Sequence, residues 1–285
     1  MTFAPRSLEG EGMNQKTVLT VQSLACHGKC AITEALPILT ACGFAASVLP
    51  TVLLSTHTDG FGTPSRLDIN GFFEGALKHW CENYIRFDGI GLGYFSNPSQ
   101  IQTMAENLTY LKKPQGFVLV DPVMGDNGRF FSGIDRDFIS GMLSLCKLAD
   151  VIVPNITEAC LLCGSEYKEI FSESEIKELI LGLYGIVNTS VVITGVSFDK
   201  DTIGAALGEK GEVSFVFSKK QPHNFHGTGD IFAAVVLARL LKGDALTAAV
   251  KAAADFVSKS IEKTVSFDFY ERNGVNFEEL LTLLM

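Results

Sequence analysis

The segment "HGTGDIFAAVVLARLLKG" (226–243) places two glycines and a carboxylate at the start of a run of helix-forming residues. Asp230 in this segment has two possible roles. It can cap the helix, because a carboxylate near a helix N-terminus satisfies free N–H groups and complements the helix dipole. Alternatively, Gly227 and Gly229 let a phosphate approach the backbone at the helix start, and Asp230 beside them acts as a base.

A second group of candidate residues follows short apolar stretches that are typical of strands. Its members are Ser23, His57, Thr58, Tyr94, Asp121, Asp126, Asn155, Glu158, Thr194 and Gly195. Carboxylates gathered at one edge of a sheet are unfavourable unless a cation or hydrogen-bond donors compensate them. Their hard oxygens suit Mg²⁺, which keeps waters and bridges to phosphates. With the glycine segment, they supply the parts of phosphoryl transfer: a phosphate cradle, a metal and a base.

Single members of this group also have structural explanations. Asp121 stands before a proline, which is a common opening of a turn. Asn155 and Glu158 are three residues apart, as an N-cap and its reciprocal glutamate would be. Ser23 can hydrogen-bond the turn that follows it, and Tyr94 can be a core residue with a paired hydroxyl. Their joint position after successive strands favours a functional site over independent coincidences.

The elements that must position these residues alternate along the chain. β-Branched, apolar stretches predict strands at 17–23, 45–54, 87–95, 116–123, 150–155 and 190–196, followed by an antiparallel hairpin. Helical patterns separate them, including one over 65–83 and two that close the chain from Asp230 and from about Leu246. This alternation predicts an α/β fold with a mostly parallel central sheet and helices on both faces. Ligands of such sheets bind beyond the carboxyl ends of the strands.

We expect one domain over residues 13–285, preceded by a disordered leader or cloning-derived tail over residues 1–12, where hydrophobic periodicity is lacking. The formal net charge of -9 argues against nucleic-acid binding and against a basic membrane-binding surface. No apolar stretch reaches the length of about 18 to 20 residues that a membrane span needs. Seven cysteines in mostly apolar contexts, without a secretory signal, indicate free thiols in the cytoplasm.

Other catalytic schemes find less support in the sequence. The chain has neither the G-x-S-x-G elbow of hydrolases nor the G-x-x-x-x-G-K-[ST] loop of P-loop nucleotidases. The segment "GIGLG" (89–93) lacks the full dinucleotide-binding spacing, which disfavours a nicotinamide-dependent oxidoreductase. Its glycines instead predict close packing or a bend.

The segments "DPVMGD", "PNITEACLLCG", "VVITG" and "HGTGDIFAA" occur in the order and approximate spacing that resemble the ribokinase-like superfamily. The resemblance covers residues 17–260 and is closest to pyridoxal kinases, which use ATP to phosphorylate the 5′-hydroxyl of B6 vitamers. The segments "VQS", "STHT" and "DPVMGD" narrow it to the vitamin kinases. Related hydroxymethylpyrimidine kinases typically carry Cys where this chain has Asp230. A pyrimidine or dual-specificity kinase, and a catalytically silent B6- or nucleotide-binding protein, remain the alternatives.

The resemblance implies a role for each candidate residue. Asp230 would be the base, kept ionised because the helix dipole lowers its pKa, and would contact the vitamer. The backbone anion hole would be formed by Gly227, Thr228 and Gly229. The groups that organise Mg²⁺, its waters and the nucleotide phosphates would be Asp121, Asp126, Asn155 and Glu158, with Asp121 and Glu158 as the metal residues. ATP would contact Thr194 and Gly195, and the pyridine pocket would be lined by Ser23, His57, Thr58 and Tyr94. A monovalent cation such as K⁺ beside the phosphates and a homodimer are also implied.

Two segments depart from the pyridoxal kinase pattern. The first loop, "QSLACHGKCAIT" (22–33), keeps Gly28 but lacks the Gly-Asn pair that usually follows. In "VLLSTHTDGFG" (52–62), Asp59 adds a carboxylate that can change which ring substituent is preferred. The resemblance therefore leaves the preferred vitamer open.

Overall fold

The computed structural model describes residues 15–223, 225–266 and 271–285. The leader expected over residues 1–12 lies outside the described residues. The strands are β1 (Thr17–Ala25), β2 (Ala45–Leu54), β3 (Arg66–Asp68), β4 (Phe87–Leu92), β5 (Lys112–Val120), β6 (Gly125–Asp126), β7 (Arg129–Phe130), β8 (Val151–Ile152), β9 (Ser190–Val196), β10 (Thr202–Glu209) and β11 (Glu212–Lys219). The helices are α1 (Ile32–Ala41), α2 (Asn70–Glu82), α3 (Pro98–Leu111), α4 (Asp137–Cys146), α5 (Ile156–Cys163), α6 (Glu173–Val187), α7 (Thr228–Leu241) and α8 (Leu246–Val265). Two short 3₁₀ turns, Glu271–Asn273 and Glu278–Leu283, follow α8.

Within the described residues, a nine-stranded sheet has the order β11-β10-β9-β8-β5-β4-β1-β2-β3. Its centre, from β2 to β9, pairs in parallel throughout. The additions at both edges, β3 on one side and the β10–β11 hairpin on the other, are antiparallel. The predicted α/β class with a mostly parallel sheet is confirmed. All central strands therefore end at the same edge of the sheet.

Helices cover both faces of the sheet, as predicted. Neighbouring residues of β1 point to opposite sides, so that Leu19 packs with the core beneath α2 to α6 and Val18 with the core beneath α1, α7 and α8. The α7 helix lies unusually close to β4, because a Cβ at Gly91 would come within 3.0 Å of Leu237 Cδ2 and one at Gly89 would clash with Leu241. The prediction that the "GIGLG" glycines allow close packing is confirmed.

Several element boundaries differ from the prediction. The helix predicted over 65–83 is preceded by the edge strand β3, whose residues are all exposed and carry no apolar alternation. Pairing of Leu67 with Leu53 of β2 makes this segment a strand, and such long-range pairing leaves no local signal. The strand predicted at 150–155 shortens to β8, since it runs into Pro154, which has no N–H to donate. No helix among the described ranges is long and apolar enough to cross a membrane.

Candidate active site

The carboxyl ends of the central strands bring the predicted residues to one edge. Asp121 follows β5, and its N–H donates to Leu92 O of β4 over 2.8 Å. Asn155 and Thr194 form a parallel bridge just beyond β8, and Thr194 N–H donates to Pro154 O over 2.9 Å. Val153 N–H likewise donates to Val120 O of β5 over 2.9 Å, so each strand end is tied to the next and the polar residues at the ends of β4, β5, β8 and β9 lie side by side.

The glycine segment forms the start of α7 next to this edge. Gly227 is the N-cap residue, with φ of +81°, a conformation that favours glycine. A Cβ at this position would also lie 2.5 Å from Oε2 of Glu34. Gly229 is exposed, and a Cβ there would have no neighbour within 4 Å. The Thr228 hydroxyl donates to Phe225 O over 3.1 Å and so holds the loop in place. The segment thus presents open backbone at a helix N-terminus, as an anion site requires.

Asp230 joins two helix starts. Its Oδ2 accepts a hydrogen bond of 2.8 Å from Ala31 N–H, the N-cap residue of α1, rather than capping its own helix. Burial raises the pKa of Asp230 to about 6, and the Ala31 N–H offsets only part of this effect. The expectation that the helix dipole lowers this pKa is wrong, because removing the carboxylate from water outweighs the dipole and one donated bond. A carboxylate with this pKa is a stronger base than an ordinary aspartate and is still mostly ionised at neutral pH.

Two further carboxyl groups lie beyond β5 and β8. Glu158 is 2% exposed and accepts hydrogen bonds from Met124 N–H (3.0 Å) and Asn155 N–H (2.9 Å). Burial raises the pKa of Glu158 to about 8. Burial, together with the charges of Glu158 and Asp230, raises the pKa of Asp121 well above its usual range. Among the described residues, Glu158 has these two donors whereas the Asp121 carboxylate has none, so Asp121 is the uncompensated acid of the pair.

This pair fits a magnesium ion. Mg²⁺ is usually held by one or two carboxylates and completes its octahedron with waters and substrate phosphates. In the part of the chain that the structure describes, no cluster of three or more His, Cys, Asp or Glu residues could enclose a metal. Two carboxylates could hold a cation that completes its coordination with waters and substrate phosphates.

The remaining residues predicted near the phosphates have different surroundings. Asn155 and Glu158 form a capping box at the start of α5, which confirms the structural explanation of their spacing. The Asn155 amide also donates to Gly125 O over 2.8 Å and thereby fixes the loop after β5. Asp126 is exposed, and its carboxylate accepts bonds from the backbone and side chain of Asn127. Gly195, with φ of +77°, is exposed beside the half-buried Thr194 at the end of β9.

The residues predicted to line the vitamer pocket come from three strands and their loops. Ser23 is buried in β1, Tyr94 is half-buried after β4, and Thr58 is exposed in the loop between β2 and β3. The guanidinium of Arg66 on β3 donates a hydrogen bond of 2.6 Å to the Ser96 hydroxyl, two residues after Tyr94. This interaction anchors the edge strand to the same end of the sheet.

His57 is buried at the meeting point of four segments. Its Nδ1 accepts from Asp59 N–H over 3.2 Å, which leaves Nε2–H to donate to Arg272 O in the C-terminal segment over 2.8 Å. A Cβ at Gly28 in the first loop would lie 2.6 Å from this Nε2, and the His226 ring lies 3.9 Å away between centroids. Burial and the neighbouring His226 imidazole lower the pKa of His57. His57 is therefore a neutral side chain that packs against His226, the residue directly before Gly227.

Three residues at the site were missed from the sequence. His226 was hidden by the glycines that follow it, although it directly precedes Gly227 and lies 3.3 Å from the Asp59 carboxylate. Glu34 had one signal, an acid within the otherwise apolar "AITEALPILTA". Ala31 had none, because its role depends on its backbone N–H and on a φ of +52°.

The parallel sheet, its two helical layers and the glycine loop at the start of α7 are those of the ribokinase-like class of folds. The chain belongs to the phosphomethylpyrimidine kinase family, whose profile matches residues 36–274. The resemblance to pyridoxal kinases inferred from the motifs is confirmed by the similarity to a solved pyridoxal kinase, described next.

Solved structures and curated relatives agree with this assignment. The pyridoxal kinase of Lactobacillus plantarum is 31% identical, with 95% of this chain and 97% of that chain covered and a TM-score of 0.89. A putative phosphomethylpyrimidine kinase of Bacteroides thetaiotaomicron, solved with pyridoxal, is 31% identical, with 95% and 96% covered and a TM-score of 0.90. A hydroxymethylpyrimidine/phosphomethylpyrimidine kinase of Aquifex aeolicus is 27% identical over 179 residues, 62% of this chain and 68% of that protein.

Proposed function

We propose that the protein is an ATP-dependent kinase that phosphorylates the 5′-hydroxyl of a B6 vitamer: pyridoxal, pyridoxamine or pyridoxine. The observation that carries the proposal is the geometry around Asp230, whose carboxylate has a raised pKa and stands one residue after the open backbone of Gly229. A protein that only bound its ligand would have no use for such a base. The similarity to a pyridoxal kinase and to a structure containing pyridoxal supports the choice of vitamer.

In this reaction Asp230 accepts the proton of the substrate hydroxyl as the oxygen attacks the γ-phosphorus of ATP. The bond to the β,γ-bridging oxygen breaks, and ADP leaves. Backbone N–H groups of Gly227, Thr228 and Gly229 stabilise the negative charge on the transferred group. A carboxylate is a sufficient base because proton removal comes late when the transition state is loose. The hydrogen bond from Ala31 N–H, at the start of α1, fixes the orientation of the Asp230 carboxylate at the start of α7.

The nucleotide side of the site would hold the metal. Asp121 and Glu158 are the residues that fit Mg²⁺, which supplies neutralisation of the phosphate charge when bound. Thr194 and Gly195 lie next to them at the end of β9, where the exposed glycine leaves room for a nucleotide. A monovalent cation such as K⁺ beside the phosphates rests on the family resemblance alone.

The cellular setting is part of the same proposal. We place the activity in salvage of the B6 cofactor by a cytoplasmic homodimer that binds neither nucleic acid nor membrane. Its support is the resemblance to the pyridoxal kinases and a net charge of -9, which disfavours polyanionic partners.

A hydroxymethylpyrimidine kinase is the second candidate, favoured by the family name and by the Aquifex relative. Mass spectrometry of pyridoxal, pyridoxamine, pyridoxine and hydroxymethylpyrimidine, each incubated with protein, Mg²⁺ and ATP, separates the two. Phosphorylation of a B6 vitamer supports the proposal. Phosphorylation of hydroxymethylpyrimidine alone would change the assigned substrate but leave the proposed mechanism in place. If none is phosphorylated while ATP still binds, the protein is a silent binder and the proposal fails.

A further inference from the structure

Glu34 is a buried carboxyl group that the proposed reaction does not use. Its side chain has no exposed surface, and neither of its oxygens has a hydrogen-bond partner among the described residues. Burying a carboxyl group without a hydrogen-bond partner costs stability even when the group is neutral, and far more when it is ionised. A sequence retains such a group at a cost to stability, which calls for a functional explanation.

The position of Glu34 mirrors that of Asp230. Each is the third residue of its helix, Glu34 in α1 and Asp230 in α7. Asp230 reaches the residue before α1, where it accepts the Ala31 N–H. Glu34 reaches the residue before α7, where its carboxyl oxygens lie against the Cα of Gly227. The Asp230 half of this arrangement is hydrogen-bonded, and the Glu34 half is not.

The charges that face Glu34 come from all sides of its pocket. Asp230 on α7 and Glu278 in the C-terminal turn disfavour its ionisation, while Lys29 in the first loop favours it. Lys29 is itself paired with Glu278 at 2.8 Å, so its charge is largely balanced. The half-buried Cys30 thiol lies in the same region. Burial first, and Asp230 second, raise the pKa of Glu34 well above its usual range.

We propose that Glu34 is a positioning residue for phosphoryl transfer: as a neutral group it supports the Gly227 loop, and as an anion it closes that loop to phosphate. A negative charge directly beneath Gly227 would repel the transferred group at short range and with little screening. A neutral carboxyl group fills the same space without this repulsion. The inference rests on the proposed function, because it assigns the phosphoryl group to the Gly227 loop.

The consequence is a loss of activity at alkaline pH that belongs to Glu34. We expect the wild-type kcat/KM to fall by up to about tenfold per pH unit once Glu34 ionises. Glu34→Gln, which is neutral at every pH and nearly the same shape, removes this alkaline limb. Glu34→Leu provides a second neutral side chain of similar volume and removes it as well. The matched control is Glu175→Gln, the third residue of α6 and remote from the site, which keeps the wild-type profile.

The experiment measures kcat and the KM for ATP between pH 6 and 10 for the four proteins, with thermal unfolding recorded at each pH. The proposal is supported if the ratio of Glu34→Gln to wild-type kcat/KM rises at least tenfold between pH 7 and 10. It is overturned if the wild type has no alkaline limb, or if both neutral variants keep it. The wild-type rate at pH 7 is measured first, since its absence refutes the proposed kinase activity, whereas an unchanged limb in an active enzyme refutes only the role of Glu34.

Discussion

Replacing Asp230 by Asn separates the catalytic use of this carboxylate from its cost to the fold. Asn keeps an oxygen that can accept the Ala31 N–H, so the contact between the two helix starts is preserved. It loses the negative charge and the ability to take a proton. We expect kcat to fall by about 10²- to 10⁴-fold, the usual contribution of a positioned base, while the affinity for ATP changes little.

The same change stabilises the protein. Burial raises the pKa of Asp230 from 3.8 to about 6, which corresponds to at most about 3 kcal/mol, because the residue keeps some exposed surface. A raised carboxyl pKa means that the unfolded chain releases its proton first as pH increases. The native state therefore loses stability between pH 3.8 and about 6 and stays lower above it. Asp230→Asn has no carboxyl group to ionise and does not lose this stability. Its free energy of unfolding should therefore exceed that of the wild type by the full amount at pH 7, and the difference should disappear near pH 4.

Two assays test the expectation. Steady-state kinetics with the accepted vitamer should show a wild-type kcat/KM that declines below pH 6, as Asp230 becomes protonated, and a residual rate in Asp230→Asn that lacks this decline. Urea unfolding at pH 4.5 and 7.5 should show the stability gain growing with pH. A variant with wild-type turnover would refute Asp230 as the base. A variant less stable than the wild type at pH 7.5 would refute the reasoning about its burial.

Two further expectations concern the Gly227 loop and the metal. Gly227→Ala should lower the free energy of unfolding by about 2 kcal/mol or more and also reduce kcat, since φ is +81° and the methyl group would meet Glu34. Gly229→Ala is the control for stability, because its methyl group would have no neighbour within 4 Å. The free energy of unfolding in urea should change by no more than about 1 kcal/mol, while kcat should still fall. Equal stability of the two variants would contradict this. Because protons compete with a cation at Glu158, whose pKa is about 8, the Mg²⁺ concentration for half-maximal rate should decrease as pH rises towards 8. Glu158→Gln should raise that concentration and flatten its pH dependence, and an unaltered dependence would argue against Glu158 at the metal.

Local sequence signals determined most of the elements and where the site lies. The alternation of apolar stretches and helical patterns predicted the parallel sheet, and "HGTGD" placed the start of α7 to within two residues. Residues after successive parallel strands must meet at one edge whatever the side-chain packing, which is why Asp121, Asn155 and Thr194 could be grouped in advance. The short edge strand β3 escaped prediction because its only cause is pairing with β2.

Only the tertiary structure determined the pKa of Asp230 and the contacts that surround it. The dipole of α7 is a local property, and reasoning from it gave the wrong direction for the pKa of Asp230. The pKa is raised because the folded chain buries the carboxylate, and the hydrogen bond that opposes this effect comes from an N–H 199 residues away in the chain. The burial of Glu34 under Gly227 and the bond from His57 to Arg272 O likewise join segments far apart in sequence. Desolvation is a sum over all neighbours in space, so no stretch of sequence contains it.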